Sequence, residues 1–176
     1  IPFLVEKPIA LTLETAQRIL EATERTGTLA GAAYMNRYRR SINRVKEILA
    51  EDPAVLLHGG WIGGTPGVAW WRVRAQSGGQ ILEQTTHTFD VVRYLVGEPV
   101  RVYAVGTRGF VTDMPNYDVE DASTVAIEFA GGAVGNLMSC CASRAGGGVH
   151  LTIAARRHYI TFTGWEHEAV IRRSSL

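Results

Sequence analysis

The period of apolar and polar positions changes along the chain and divides it in two. Phe3-Leu4-Val5 is a continuous apolar run, the pattern of a short buried strand. Leu13, Ala16, Ile19, Leu20 and Thr23 then recur at helical spacing and predict a helix from about Leu13 to Arg25. Thr12 is placed to cap it, Glu14 sits in its first turn, and Gly27 ends it. Leu29 to Tyr34 predicts a returning strand, and Ile42, Val45, Ile48 and Leu49 predict a second helix stopped by Pro53. This β-α-β-α order is the kind that builds parallel sheets.

Beyond Pro53 the pattern is mainly that of short strands. Val55 to Ile62 predicts one, followed by the loop sequence Gly63-Gly64-Thr65-Pro66-Gly67, and Val68 to Val73 predicts another, rich in tryptophan. Five more follow: Val100 to Val105, Ala122 to Phe129, Ala133 to Cys140, Val149 to Ala154 and His158 to Thr163. Gly131-Gly132 is a hairpin signal, because two glycines supply the positive φ of a tight turn. The link Ala155-Arg156-Arg157 predicts a second hairpin, and Thr112 to Glu120 a long mobile loop. Short links favour antiparallel pairing. The expected class is α+β, a mostly antiparallel open sheet with helices on one face.

One helix interrupts the strands. Gly78-Gly79 opens it and Gly97 closes it, and Ile81, Leu82, Phe89, Val92, Leu95 and Val96 give it a broad apolar surface. Glu83, His87, Asp90 and Tyr94 break that surface at spacings of four, three and four, which stacks them on one face. A carboxylate and an imidazole in a polar stripe on an apolar helix fit a cleft where a proton is moved. The rival is an ordinary Glu83–His87 surface pair, worth a few tenths of a kcal/mol.

Composition narrows the partners. With 46% hydrophobic and 20% charged residues the chain reads as a globular protein, and a net charge of +1 offers no basic field for nucleic acid. No apolar run is long enough to span a bilayer. Cys140 and Cys141 are adjacent and so do not favour a disulfide with each other; reduced thiols in a cytoplasmic setting are the expectation. His58, His150, His158 and His167 have no metal-ligand spacing, so no metal is expected.

With Glu6-Lys7-Pro8 after the first strand, Asn36-Arg37-Tyr38 after the second, and Gly78-Gly79, Glu83, His87 and Asp90 in that order, the chain resembles the Gfo/Idh/MocA oxidoreductases. These are enzymes of the glucose–fructose oxidoreductase and inositol dehydrogenase type. The resemblance implies a dihydrodipicolinate-reductase-like C-terminal domain that binds a sugar, polyol or related hydroxy compound and forms a homodimer through its open sheet face. It implies hydride transfer with NAD or NADP. No G-x-G-x-x-G follows a strand, so residues 1–10 are expected to end a nucleotide-binding domain that is otherwise missing. Residues 11–176 are then the substrate-binding, catalytic and dimerisation domain, and the truncated chain by itself is expected to be inactive. Two residues differ from the common family pattern, Glu83 where Asp is frequent and Thr85 where Gly is frequent.

The resemblance implies roles for these residues that the chemistry also fits. His87 is the acid–base group, since an imidazole titrates near working pH. Lys7 stabilises charge on the reacting oxygen, and Glu83 orients the imidazole or holds a substrate hydroxyl. Glu6, Lys7 and Pro8 meet the cofactor, while Arg37, Trp71 and Asp90 meet substrate. Each has a bland rival. Asp90 can pair with Arg93, Arg37 can belong to a solvated face with Arg39 and Arg40, and Trp61, Trp70 and Trp71 can be core. Tyr94 reads as a half-buried packing residue. The alternative function is a non-catalytic sugar-binding or dimerisation module, and the discriminating feature is whether Lys7, Glu83 and His87 converge.

Overall fold

The computed structural model describes residues 1–175. Strand β1 (Phe3–Val5) pairs in parallel with β2 (Ala30–Ala32), and helix α1 (Leu13–Thr26) connects them. The Thr12 hydroxyl accepts the Thr15 N–H at 3.1 Å, and Gly27 ends α1 in the left-handed region at φ 60°. The second strand is shorter than the apolar run Leu29 to Tyr34, because β1 offers only three residues to pair with.

A 3₁₀ turn (Met35–Tyr38) leads into α2 (Arg40–Glu51) and then β3 (Ala54–Ile62). Residues Val68 to Val73 do not form the expected strand. Ala69–Arg72 is a 3₁₀ turn and Arg74–Ser77 the short helix α3. Of the apolar residues there Trp71 is buried, by loop packing rather than by a ladder, among Val119, Tyr117 and Cys141, while Val68 and Trp70 stay exposed. The Gly78–Gly97 helix forms over residues 80–96, but with a wide π turn at Ile81–Thr85 before the regular α4 (Thr86–Val96). Such turns recur at functional sites.

The remaining strands are β4 (Pro99–Thr107), β5 (Ala122–Phe129), β6 (Val134–Cys140), β7 (Gly148–Ala155), β8 (His158–Thr163) and β9 (Glu168–Arg173). They join β3 in one open sheet of order β4-β5-β6-β3-β7-β8-β9. Both expected hairpins form, β5–β6 at Gly131-Gly132 and β7–β8 at Ala155-Arg156-Arg157. Every pairing in this sheet is antiparallel except β3 with β6, which are distant in sequence and not bound by a short link. The edge strand β9 was not legible in its charged sequence, and charges on an edge are a common guard against unwanted pairing.

Helices α2 and α4 cover one face. Ile42, Val45, Val91 and Val92 pack there against Leu57, Leu137, Ile153 and Ile160. The other face is bare, leaving Leu56, Tyr103 and Val134 exposed. The end of α2 is fastened to the β7–β8 hairpin through Asp52, which accepts the Arg157 N–H at 2.9 Å and bonds His158 Nδ1 at 2.8 Å.

Candidate active site

Lys7 lies just past β1, before a cis peptide to Pro8. Its side chain crosses from the two-stranded sheet to the π turn. The ammonium donates to the backbone oxygen of Glu83 and to its Oε1, each at 2.5 Å. Trp71 Nε1 donates to the other carboxylate oxygen, Oε2, at 2.8 Å. Both oxygens of Glu83 are therefore occupied, and the Lys7 and Glu83 side chains are only 18% and 14% exposed. Two of the three ammonium donors are engaged, which leaves one for another acceptor.

His87 follows one turn later, edge-on to the Tyr34 ring at 6.2 Å between centroids. The Tyr34 hydroxyl lies 3.2 Å from Thr86 Oγ1. Burial lowers the His87 pKa from its ordinary 6.5, and the Lys7 charge lowers it further, while Asp90, Glu83 and Glu6 oppose both. The imidazole is thus neutral near pH 7. Its Nδ1 is buried and bonded to no protein atom, so Glu83 does not orient the ring by a hydrogen bond.

The rest of the stripe is arranged differently from expectation. Asp90 does not pair with Arg93; Arg37 grips it with two bonds of 2.8 and 2.5 Å, and Arg93 pairs with Glu98. Sequence separation hid this contact, because Arg37 comes from the 3₁₀ turn before α2. Asp90, expected to meet substrate, is buried and saturated by Arg37, which itself stays partly exposed. Trp71 is likewise corrected: at 1% exposure it presents no face to a ligand and reaches the site only through Glu83. Tyr94 packs against the Arg37 guanidinium and the Lys46 ammonium, 5.2 and 3.5 Å from its ring centroid.

Thr85 is fully buried and its hydroxyl accepts from Ser139 Oγ at 2.7 Å, which ties the π turn to β6. A cavity of about 500 Å³ borders the stripe, lined by Tyr34, Arg37, Thr86, Asp90 and Ile127 among others. Lys7, Glu83 and His87 do not line it; it adjoins them through Thr86 and Tyr34. The Cys141 thiol is buried, hydrogen-bonded with Tyr117, and pushed up to about 11, so it is no nucleophile at neutral pH. Among the described residues no three His, Cys, Asp or Glu side chains group as a metal would need. Tyr34 was missed in the sequence, where nothing marks a strand-end tyrosine as a neighbour of a histidine 53 positions on.

The structure is an open, mostly antiparallel sheet with helices on one face and a lysine–carboxylate pair near a half-buried imidazole. Residues 55–161 match the GFO/IDH/MocA C-terminal domain model. The chain belongs to that family. It is 30% identical over 135 residues to the myo-inositol 2-dehydrogenase of Thermotoga maritima, a match covering 74% of this chain and 40% of that protein. It superposes on levoglucosan dehydrogenase in complex with NADH and levoglucosan with a TM-score of 0.87 at 22% identity, covering 98% of this chain and 50% of that one. The WlbA dehydrogenase of Bordetella pertussis in complex with NADH and UDP-GlcNAcA gives 0.87 at 18% identity, covering 99% and 53%. The chain thus spans about half the length of the proteins it resembles.

Proposed function

We propose that this chain is the substrate-binding and catalytic portion of an NAD(P)-dependent oxidoreductase acting on a sugar, polyol or related hydroxy compound. One observation carries the reading: Lys7, just past β1, and Glu83, on the π turn, meet at 2.5 Å, with His87 one turn away. The Lys7–Glu83 pair, with His87 on the next turn of the same helical run, supports catalysis over a non-catalytic module. The matched relatives are dehydrogenases that act on or bind compounds of this class.

In this scheme the neutral His87 accepts the substrate hydroxyl proton in oxidation and returns it in reduction. The remaining Lys7 donor bonds the same oxygen and stabilises its developing charge. Glu83 does not touch substrate; it holds the Lys7 ammonium in place and is itself held by Trp71. Arg37 is the partly exposed cation left to meet substrate, with Asp90 fixing its orientation. Glu6, Lys7 and Pro8 would border the nicotinamide, whose chemistry is acceptance or donation of hydride. Lys7 suits that place because it ends a parallel strand, the end where such folds bind ligands. The sequence contains no G-x-G-x-x-G to cradle a phosphate, so this portion alone is proposed to be inactive.

The proposed division puts residues 1–10 with a nucleotide-binding domain and 11–176 with the substrate domain. The β1–β2 pairing and the unburied α1 support carrying the first part on to Ala32. The bare sheet face, with Leu56, Tyr103 and Val134 exposed, is the proposed homodimer surface. Sedimentation of Tyr103→Glu as a monomer beside a dimeric wild type would support it; equal sizes would refute it.

His87→Ala tests the catalytic reading in a dehydrogenase-active form of the protein. Turnover should fall by roughly 10²- to 10⁴-fold with cofactor affinity unchanged. Unaltered turnover removes His87 from the mechanism. The pH profile adds a second check, with activity in the oxidative direction rising as pH increases through a midpoint below 6.5.

A further inference from the structure

The π turn that carries Glu83 is also gripped at its first residue, away in sequence from the Lys7 contact. Glu120, at the end of the long connection between β4 and β5, is 8% exposed. Its Oε1 accepts the Ile81 N–H at 3.3 Å, at the start of the helical run 80–96. There the unpaired N–H groups and the helix dipole favour a negative charge. The guanidinium of Arg74, on α3, pairs with Oε2. Gly79 gives the carboxylate room, since a Cβ there would stand 2.4 Å from Oε2. The backbone of Glu120 is held as well, its carbonyl accepting from the Tyr117 hydroxyl and the Cys141 thiol at 3.2 Å each.

A π turn has poorer intrinsic stability than the α turns around it and persists where neighbours hold it. Lys7 bonds Glu83, Ser139 bonds Thr85, and Glu120 holds Ile81. We infer that Glu120, clamped by Arg74, is a positioning residue that holds the wide turn in register and so presents Glu83 to Lys7 beside His87. Its consequence for turnover rests on the function proposed above; its consequence for geometry does not. Without the carboxylate, the turn relaxes toward α geometry and Glu83 leaves Lys7.

The geometric half is read by NMR titration of the histidines in this chain, with His87→Ala used for assignment. The groups acting on His87 are Lys7, Glu83, Asp90 and Glu6, together with the Tyr34 ring. In Glu120→Ala the His87 midpoint should shift from its wild-type value, because the burial of the ring and the balance of the Lys7 and Glu83 charges acting on it both change. Glu120→Gln should stay near wild type, since its amide oxygen still accepts the Ile81 N–H. A folded Glu120→Ala with an unmoved His87 midpoint overturns the inference. Should that variant not fold, Arg74→Ala decides: a smaller shift supports the clamp, and no shift overturns it.

The catalytic half is read in a dehydrogenase-active form. There Glu120→Ala should lower kcat by roughly 10- to 100-fold with KM for the cofactor unchanged, and Glu120→Gln should restore most of it. A moved midpoint with unchanged kcat leaves the positioning role standing and removes the catalytic role proposed for the Lys7–Glu83 pair.

Discussion

Helices α1 and α2 make opposite use of the same local rules. The first has a side-chain cap at Thr12, a glycine at its end and an acidic residue in its first turn, yet it buries none of its residues. The second begins at Arg39 with no side-chain cap and buries Ile42, Val45 and Leu49. Caps contribute about 1 kcal/mol each and decide where a helix starts. Burial contributes roughly 1.5–3 kcal/mol for each large apolar side chain and decides whether the helix is held. The β1–α1–β2 unit is therefore well specified but weakly anchored, while the sheet with α2 and α4 is the stable body. Lys7 bridges the two, and the candidate site lies at that bridge.

The largest effect should come from the body. Leu57→Ala, at a fully buried position between the helices and the sheet, should cost about 2–5 kcal/mol in chemical denaturation. A cost below 1 kcal/mol would dissolve the contrast drawn here. Next comes the bridge. Lys7→Met leaves Glu83 without its cation and should cost about 1–3 kcal/mol. It should also raise the His87 midpoint, because the Lys7 charge is the second largest influence lowering it. Histidine NMR on the same variant checks both the size and the sign.

A smaller, pH-dependent effect belongs to the Asp52 fastening. The hydrogen bond from His158 holds the Asp52 carboxyl below its ordinary 3.8, with the Arg157 N–H adding to it. The folded pKa lies below the unfolded one, so this stabilisation is complete above about pH 4 and fades as pH falls through the folded value. Denaturation midpoints measured down this acid limb should flatten in Asp52→Asn relative to wild type. The smallest effect is expected in the first unit: Leu13→Ser, at a side chain 86% exposed, should change stability by no more than about 0.5 kcal/mol. A loss comparable to that of Leu57→Ala would show that α1 is anchored after all.

Much of the layout was legible in the chain itself. Period-2 alternation marked β5 and β7, because each residue faces either the core or the bare side, and Gly131-Gly132 marked the hairpin. Helical spacing marked α1, α2 and α4 and lined up Glu83, His87, Asp90 and Tyr94 on one stripe. These are local properties, set by backbone period and by which residues tolerate a turn. What the stripe touches is not local. Arg37 takes Asp90 and Trp71 takes Glu83 across 53 and 12 positions, and Glu120 reaches Ile81 across 39. The wide turn at Ile81–Thr85, the burial of Trp71 and the pairing of charged β9 depend on neighbours brought in by the fold. Packing, hydrogen bonding and desolvation between distant segments chose those partners, and no periodicity in the sequence encodes such a choice.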